Sequence, residues 1–153
     1  MNTPSADLPT ESLAALGAIG SGLTRPECVL TTRSGDVYTS DWRGGVAHIR
    51  PDGRQTLYSA PDIDGLPLKP NGIALNADGS FLLAQLGADD GGVYRLTRSG
   101  QVTPFLRTVE GRDLPPTNFV VADNAGRTWI TVSTRRTPRA LGYRKDCDDG
   151  FTV

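Results

Sequence analysis

One histidine, two cysteines, no long apolar run and no excess of either charge: each shortage in this sequence removes a class of function. A lone imidazole, His48, cannot build a multi-histidine metal site. Cys28 and Cys147 are too few for a disulfide framework and stand in no CxxC spacing, so neither zinc nor dithiol chemistry is indicated. Both are expected to be reduced, mostly buried thiols. No stretch approaches the roughly 18–20 apolar residues that cross a bilayer as a helix, so no membrane partner is expected. The balance of 16 Lys+Arg against 17 Asp+Glu leaves a net charge of −1. Nonspecific nucleic-acid binding needs a basic face to displace phosphate counterions, and no nucleic-acid partner is expected. No Lys or Arg precedes Arg25, so the N-terminus lacks the basic region of a secretory signal, and the cytoplasm is the expected location.

What the sequence does have is glycine and proline. The 18 Gly and 11 Pro make up about a fifth of the 153 residues and are spread along the chain. Turn residues placed regularly between short β-branched runs indicate many strands joined tightly. Residues 1–22 stand apart as an extension. Within it, Thr10 to Leu16 suits one short helical turn or a strand, which could close a ring.

From residue 23 onward three segments align. Glu27 stands eight positions before Gly35, Asn71 eight before Gly79, and Asn118 eight before Gly126. The pairs Gly44-Gly45 and Gly91-Gly92 each open a second hairpin, and Gly53 and Gly100 follow eight positions after Gly45 and Gly92. The repeat is 44 positions from Glu27 to Asn71 and 47 from Asn71 to Asn118. A period in the mid-forties with four short strands per unit predicts β-propeller blades in an all-β fold. Residues 23–153 then hold blades one to three. In the third, a basic stretch from Ser133 to Lys145 separates the second strand from a third strand beginning near Phe151. A ring needs at least ~4 blades, so the expected object is an incomplete ring. It is either a cut piece or a chain completed by a second one. Phe119, Trp129 and Phe151 are the apolar side chains expected to be left without a neighbouring blade.

Several phrases resemble the N-terminal half of the gluconolactonase/regucalcin-like (senescence marker protein) lactonases: Pro26-Glu27 before the first inner strand, Pro70-Asn71-Gly72-Ile73-Ala74-Leu75, the Asn118-bearing third unit, and Gly91-Gly92-Val93-Tyr94-Arg95-Leu96. The resemblance covers about residues 20–153 and implies a six-bladed propeller, here about three blades, that hydrolyses a sugar-type or related lactone with a divalent cation, most simply Ca²⁺. It implies that Glu27 and Asn118 are metal ligands and that Asn71 and Asn118 contact substrate. Where the family has Asn-Asp, this chain has Asn118-Phe119. The family's remaining metal ligands and its usual base correspond to positions after Val153, so the catalytic base is unassigned and the isolated chain is expected to be inactive.

The ring geometry leads to the same three positions. The innermost strand of each blade borders the central channel, so equivalent residues gather at one mouth. One carboxylate and two amide carbonyls there suit a hard cation that takes roughly 6–8 oxygens. Each residue also has a plainer reading. Asn71 in Pro-Asn-Gly suits a turn, as does Asn118, and Glu27 suits a solvated or salt-bridged carboxylate. Asp41-Trp42 reads as a strand end and Asp89-Asp90 as a polar turn. The basic set Arg135, Arg136, Arg139, Arg144 and Lys145 reads as a solvated loop or a site for an anionic substrate. A noncatalytic binding propeller and an inactive fragment are the alternatives to a lactonase, because the fold hosts all of these uses.

Overall fold

A computed structural model describes residues 12–60, 62–146 and 149–153. Blade one is the four-stranded antiparallel sheet β1 (Val29–Thr31), β2 (Val37–Asp41), β3 (Gly45–Ile49) and β4 (Gln55–Ser59), paired in chain order. A hairpin, β5 (Asp62–Ile63) with β6 (Leu66–Pro67), leads into blade two. That blade is β7 (Pro70–Leu75), β8 (Phe81–Gln85), β9 (Val93–Leu96) and β10 (Val102–Leu106). A second hairpin, β11 (Thr108–Val109) with β12 (Arg112–Asp113), leads into blade three. Blade three consists of β13 (Thr117–Ala122), β14 (Thr128–Val132) and the two-residue β15 (Phe151–Thr152). All three sheets run as up-and-down meanders, and the expected all-β blade architecture is what the chain forms.

The repeat spacing is legible in the register. Leu30 pairs with Tyr38, Ala74 with Leu82 and Val121 with Trp129, so equivalent positions face each other in every blade. The turns between inner strands depend on Gly35, Gly79 and Gly126, all at positive φ. The two connecting hairpins escaped the sequence reading, although their turns carry a signal: Asp64-Gly65 and Glu110-Gly111 both have two residues at positive φ, the requirement of a two-residue type I′ loop.

Two apolar layers hold the blades together. Cys28, Tyr38 and Val46 of blade one pack against Ile73, Phe81, Leu83, Tyr94 and Leu96 of blade two. On its other face, blade two presents Ala74, Leu82, Ala84 and Val93 to Val120 and Ile130 of blade three. Arg98 pins the first junction, with its guanidinium lying over Tyr38, Tyr58 and Phe81 and Nη2 donating to the Tyr38 hydroxyl at 3.2 Å. His48 is consumed structurally. Its ring stacks on Tyr38 with centroids 4.3 Å apart, and Nε2 lies 2.6 Å from Asp36 Oδ1.

Inner strands β7 and β13 pass close to each other at Gly72, where a Cβ would lie 2.5 Å from the Phe119 Cα and 2.8 Å from the Val120 nitrogen. Backbone atoms cannot rotate aside as a side-chain tip can. Gly72→Ala is therefore expected to destabilise the chain by about 1–3 kcal/mol, the cost of forcing a methyl into a packed interior. Urea unfolding of the two chains checks this.

Cys28 is buried and free, with Sγ 3.7 Å from the Ile73 carbonyl, and burial pushes its thiol up; Cys147 lies outside the described residues. In the extension, the described part holds one 3-10 turn, Leu13–Ala15, and no strand; residues 1–11 lie outside the description. Phe119 and Trp129 are exposed as expected, whereas Phe151 is only partly so, because the Arg135 guanidinium covers its ring at 4.3 Å. Asp41 does end β2. Burial opposes its charge, yet hydrogen bonds from the Arg43 side chain and backbone and from the Thr24 amide hold its carboxyl below the usual range.

Candidate functional site at the mouth of the inner strands

Asn71 and Asn118 lie where two inner strands are bulged. Pairing of β7 with β8 shifts register between Pro70 and Ile73, and pairing of β13 with β14 shifts between Thr117 and Phe119. A bulge adds a residue to one strand and re-aims its side chain. Here it turns the two amides toward each other. Asn71 Nδ2 donates to the Asn118 carbonyl and to Asn118 Oδ1, both at 3.1 Å. The plainer turn reading is thereby replaced for both residues, since each belongs to a strand. Asn71 is buried, and its Oδ1 has no hydrogen-bond partner in the protein.

Glu27 reaches the same place from blade one without a bulge. Its backbone N–H and that of Cys28 both donate to Ser40 Oγ at 3.1 Å, which fixes the chain just before β1. Its carboxylate is half-exposed and ion-paired with the Arg25 guanidinium through Oε1. Arg25, at φ 53°, also lies 4.0 Å above the Trp42 ring. So the plainer expectation for Glu27, a salt-bridged carboxylate, describes its present partner, while its position places it at the shared mouth.

All three residues line one cleft of about 260 Å³, with Arg25, Leu86, Ser133, Thr134, Arg139, Gly142 and Tyr143 completing the wall. This is below the roughly 300–1,000 Å³ of sites for drug-sized ligands and of a scale for a small metabolite. The far wall comes from the basic stretch of blade three, which folds as a 3-10 helix, Arg139–Tyr143. The Arg139 amide donates to the Ala88 carbonyl at 3.0 Å, and Arg139 Nη1 donates to the Tyr143 hydroxyl at 2.6 Å. Of the basic set named from sequence, only Arg139 lines the cleft; Arg135 covers Phe151, and Arg144 pairs with Asp146 at 3.4 Å. Arg25 and Tyr143 went unpredicted. Arg25 adjoins Pro26-Glu27, but nothing in the sequence announces its positive φ or its stacking on Trp42.

As a donor set the cleft is oxygen-rich and poor in acids. Among the described residues no His, Cys or Asp lines it, and none form a group of three or more His, Cys, Asp or Glu able to hold a metal. Asp90, from the predicted polar turn, accepts instead from Gln85 Nε2 at 2.6 Å. No described helix is long and apolar enough to cross a membrane.

No protein-family model and no curated protein sequence matches the chain. Solved structures do. A gluconolactonase from Xanthomonas campestris aligns with a TM-score of 0.58 at 21% identity, over 81% of this chain and 38% of that one. Virginiamycin B lyase from Staphylococcus aureus aligns with a TM-score of 0.51 at 19% identity, over 69% of this chain and 33% of that one. A catalytically inactive variant of that lyase, with quinupristin, gives 0.52 at 16% identity, over 90% and 43%. The chain thus matches well under half the length of each. The neighbours include a gluconolactonase, the family its motifs resemble, and the likeness in fold places this chain among the β-propellers as an arc of three packed blades.

Proposed function

We propose that this chain carries the cation- and lactone-binding mouth of a propeller that hydrolyses a sugar-type or related lactone. The observation that supports it most is the buried Asn71 Oδ1, an acceptor with no protein partner, on a residue that lines a cleft shared with Glu27 and Asn118. A buried polar atom left unsatisfied costs about 1–3 kcal/mol, and a ligand that donates to it or coordinates it removes that cost.

The residues fit a divalent cation in kind. Glu27 supplies a carboxylate and Asn118 an amide oxygen, both hard donors, and Ca²⁺ accepts such oxygens at roughly 2.3–2.6 Å with water and substrate filling the rest of its shell. A cation bound there would polarise a lactone carbonyl. Asn71 Oδ1 would then accept a hydroxyl of the sugar ring, with its amide held in place by the two bonds to Asn118. Arg139 and Tyr143 form one side of the cleft.

Glu27→Gln and Arg25→Ala test the assignment in opposite directions. Removing the carboxylate's charge is expected to weaken Ca²⁺ binding, read by calorimetric titration, by about tenfold or more, an ion–carboxylate contact being worth at least ~1.4 kcal/mol. Removing Arg25, the cation that now occupies Glu27, is expected to tighten it. If neither variant moves the titration, the metal assignment is wrong.

One observation favours a binding role without catalysis: among the described residues, the one carboxylate lining the cleft is already ion-paired. Because the isolated chain is expected to be inactive on either reading, the metal dependence of binding separates the two. Saturable binding of an aldonolactone that is indifferent to Ca²⁺ supports the binding module.

A further inference from the structure

Building on the lactone reading above, we propose that the ligand of this cleft is an anionic lactone, one derived from a sugar diacid, and that Arg139 binds its free carboxylate. Among the described residues, the charged side chains lining the cleft are the guanidiniums of Arg25 and Arg139 and the carboxylate of Glu27. Arg25 and Glu27 neutralise each other as an ion pair, which leaves the charge of Arg139 unbalanced. Arg43, Arg54, Arg127 and Arg144 each hold an aspartate. Arg139 makes no ion pair with a described carboxylate. Its partner is the neutral Tyr143, whose hydroxyl accepts from Nη1 at 2.6 Å and whose ring centroid lies 5.7 Å from the guanidinium carbon. That bond uses one guanidinium N–H, and the planar fork keeps others with which to take a carboxylate in paired hydrogen bonds.

The segment that carries Arg139 is seated on the blades. Its amide donates to the Ala88 carbonyl at 3.0 Å. Gly142 lies so close to the buried Thr134 that a Cβ there would be 2.8 Å from the Thr134 Cβ. A cation already fixed in a cleft wall binds an anion with less ordering cost than one on a loose stem. Electrostatics then orient the ligand. Arg139 attracts the carboxylate and Glu27 repels it, so the anionic tail lies toward the Arg139–Tyr143 wall and the lactone ring toward Asn71 and Asn118. The ring hydroxyls supply the proton that Asn71 Oδ1 accepts, which an ionised carboxylate cannot do. A neutral lactone, with a hydroxymethyl in place of the carboxylate, gives Arg139 no counter-charge and is held less tightly.

Glucaro-1,4-lactone and glucono-1,4-lactone differ at one carbon, a carboxylate in the first and a hydroxymethyl in the second. Calorimetric titration of the full chain at fixed Ca²⁺ should show the first binding about tenfold more tightly, the margin of a charge-assisted over a neutral hydrogen bond. Added salt should narrow that margin. Arg139→Met should abolish the preference and Arg139→Lys should restore part of it, a recovery that a merely structural role would not give. Arg144→Met, in the same basic stretch but outside the cleft, should keep the preference whole. Equal affinity of the unaltered chain for the two lactones overturns the proposal and leaves the lactone reading standing. Binding of neither overturns both. A preference that survives in Arg139→Met belongs to the metal or to Arg25 and overturns the assignment to Arg139. Equal loss of both lactones in that variant overturns it too, as the mark of a structural role.

Discussion

Phe81→Ala should remove a large part of the chain's folding stability. Phe81 is fully buried at the centre of the first inter-blade layer, with ring centroids 5.7 Å from Tyr38 and 5.8 Å from Tyr58, and the Arg98 guanidinium 5.3 Å above it. Truncation removes the ring's transfer energy and leaves a cavity between sheets that cannot collapse, because β8 is held on both sides by β7 and β9. Buried Phe→Ala changes cost about 3–5 kcal/mol, against roughly 5–15 kcal/mol for a whole domain. The midpoint of thermal unfolding should fall by about 10 °C or more for a chain of this length. Phe105→Ala supplies the contrast. That ring is exposed on β10, so its loss should stay within about 0.5 kcal/mol. Equal effects from the two would mean that the inter-blade layer does not carry the stability.

Asn71→Leu should separate binding from folding. Leucine keeps asparagine's branched skeleton but is bulkier, removes the unsatisfied Oδ1, and gives up the two Nδ2 bonds to Asn118. Those changes oppose one another, since an unpaired buried acceptor costs about 1–3 kcal/mol while each lost hydrogen bond forfeits about 0.5–1.5 kcal/mol. Unfolding free energy should accordingly move by no more than about 2 kcal/mol. Ligand affinity has no such compensation. On the proposed reading, loss of this acceptor should weaken binding of an aldonolactone by about 10–100-fold, the factor for removing a buried polar contact. Asn71→Asp keeps an acceptor oxygen, adds charge and loses the amide donor, so Ca²⁺ affinity should hold or rise while the contact to Asn118 is lost. Calorimetry on both variants checks the pattern, and unchanged lactone binding in Asn71→Leu would remove Asn71 from the site.

These two experiments probe different levels of legibility. Phe81 could be placed from sequence because it follows the Asp78-Gly79 turn at the same spacing as Val37 after Ser34-Gly35, and alternation then assigns it a buried face. Asn71 could be placed at the mouth of an inner strand by the same counting, but not its side-chain direction. Strict alternation along β7 has no means of anticipating the register shift between Pro70 and Ile73. Whether two amides on neighbouring inner strands meet or diverge depends on the bulge and on the close passage of β13 over Gly72. Both are properties of two blades packed together.

The same division runs through the rest of the chain. Local chemistry determined the strands, the turns and the mid-forties period, because glycine at positive φ and two-residue alternation act over a few neighbouring residues. It therefore also determined the all-β class and the gathering of Glu27, Asn71 and Asn118 at one mouth. Partners distant in sequence were decided only in three dimensions. The engagement of Glu27 by an Arg25 stacked on Trp42, the descent of Arg139–Tyr143 as a wall of the cleft, and the unsatisfied Asn71 oxygen all require several segments to be packed at once. Spacing says which residues share a position in a repeated unit; what each then touches depends on how neighbouring units close on one another, and that is set by packing between sheets.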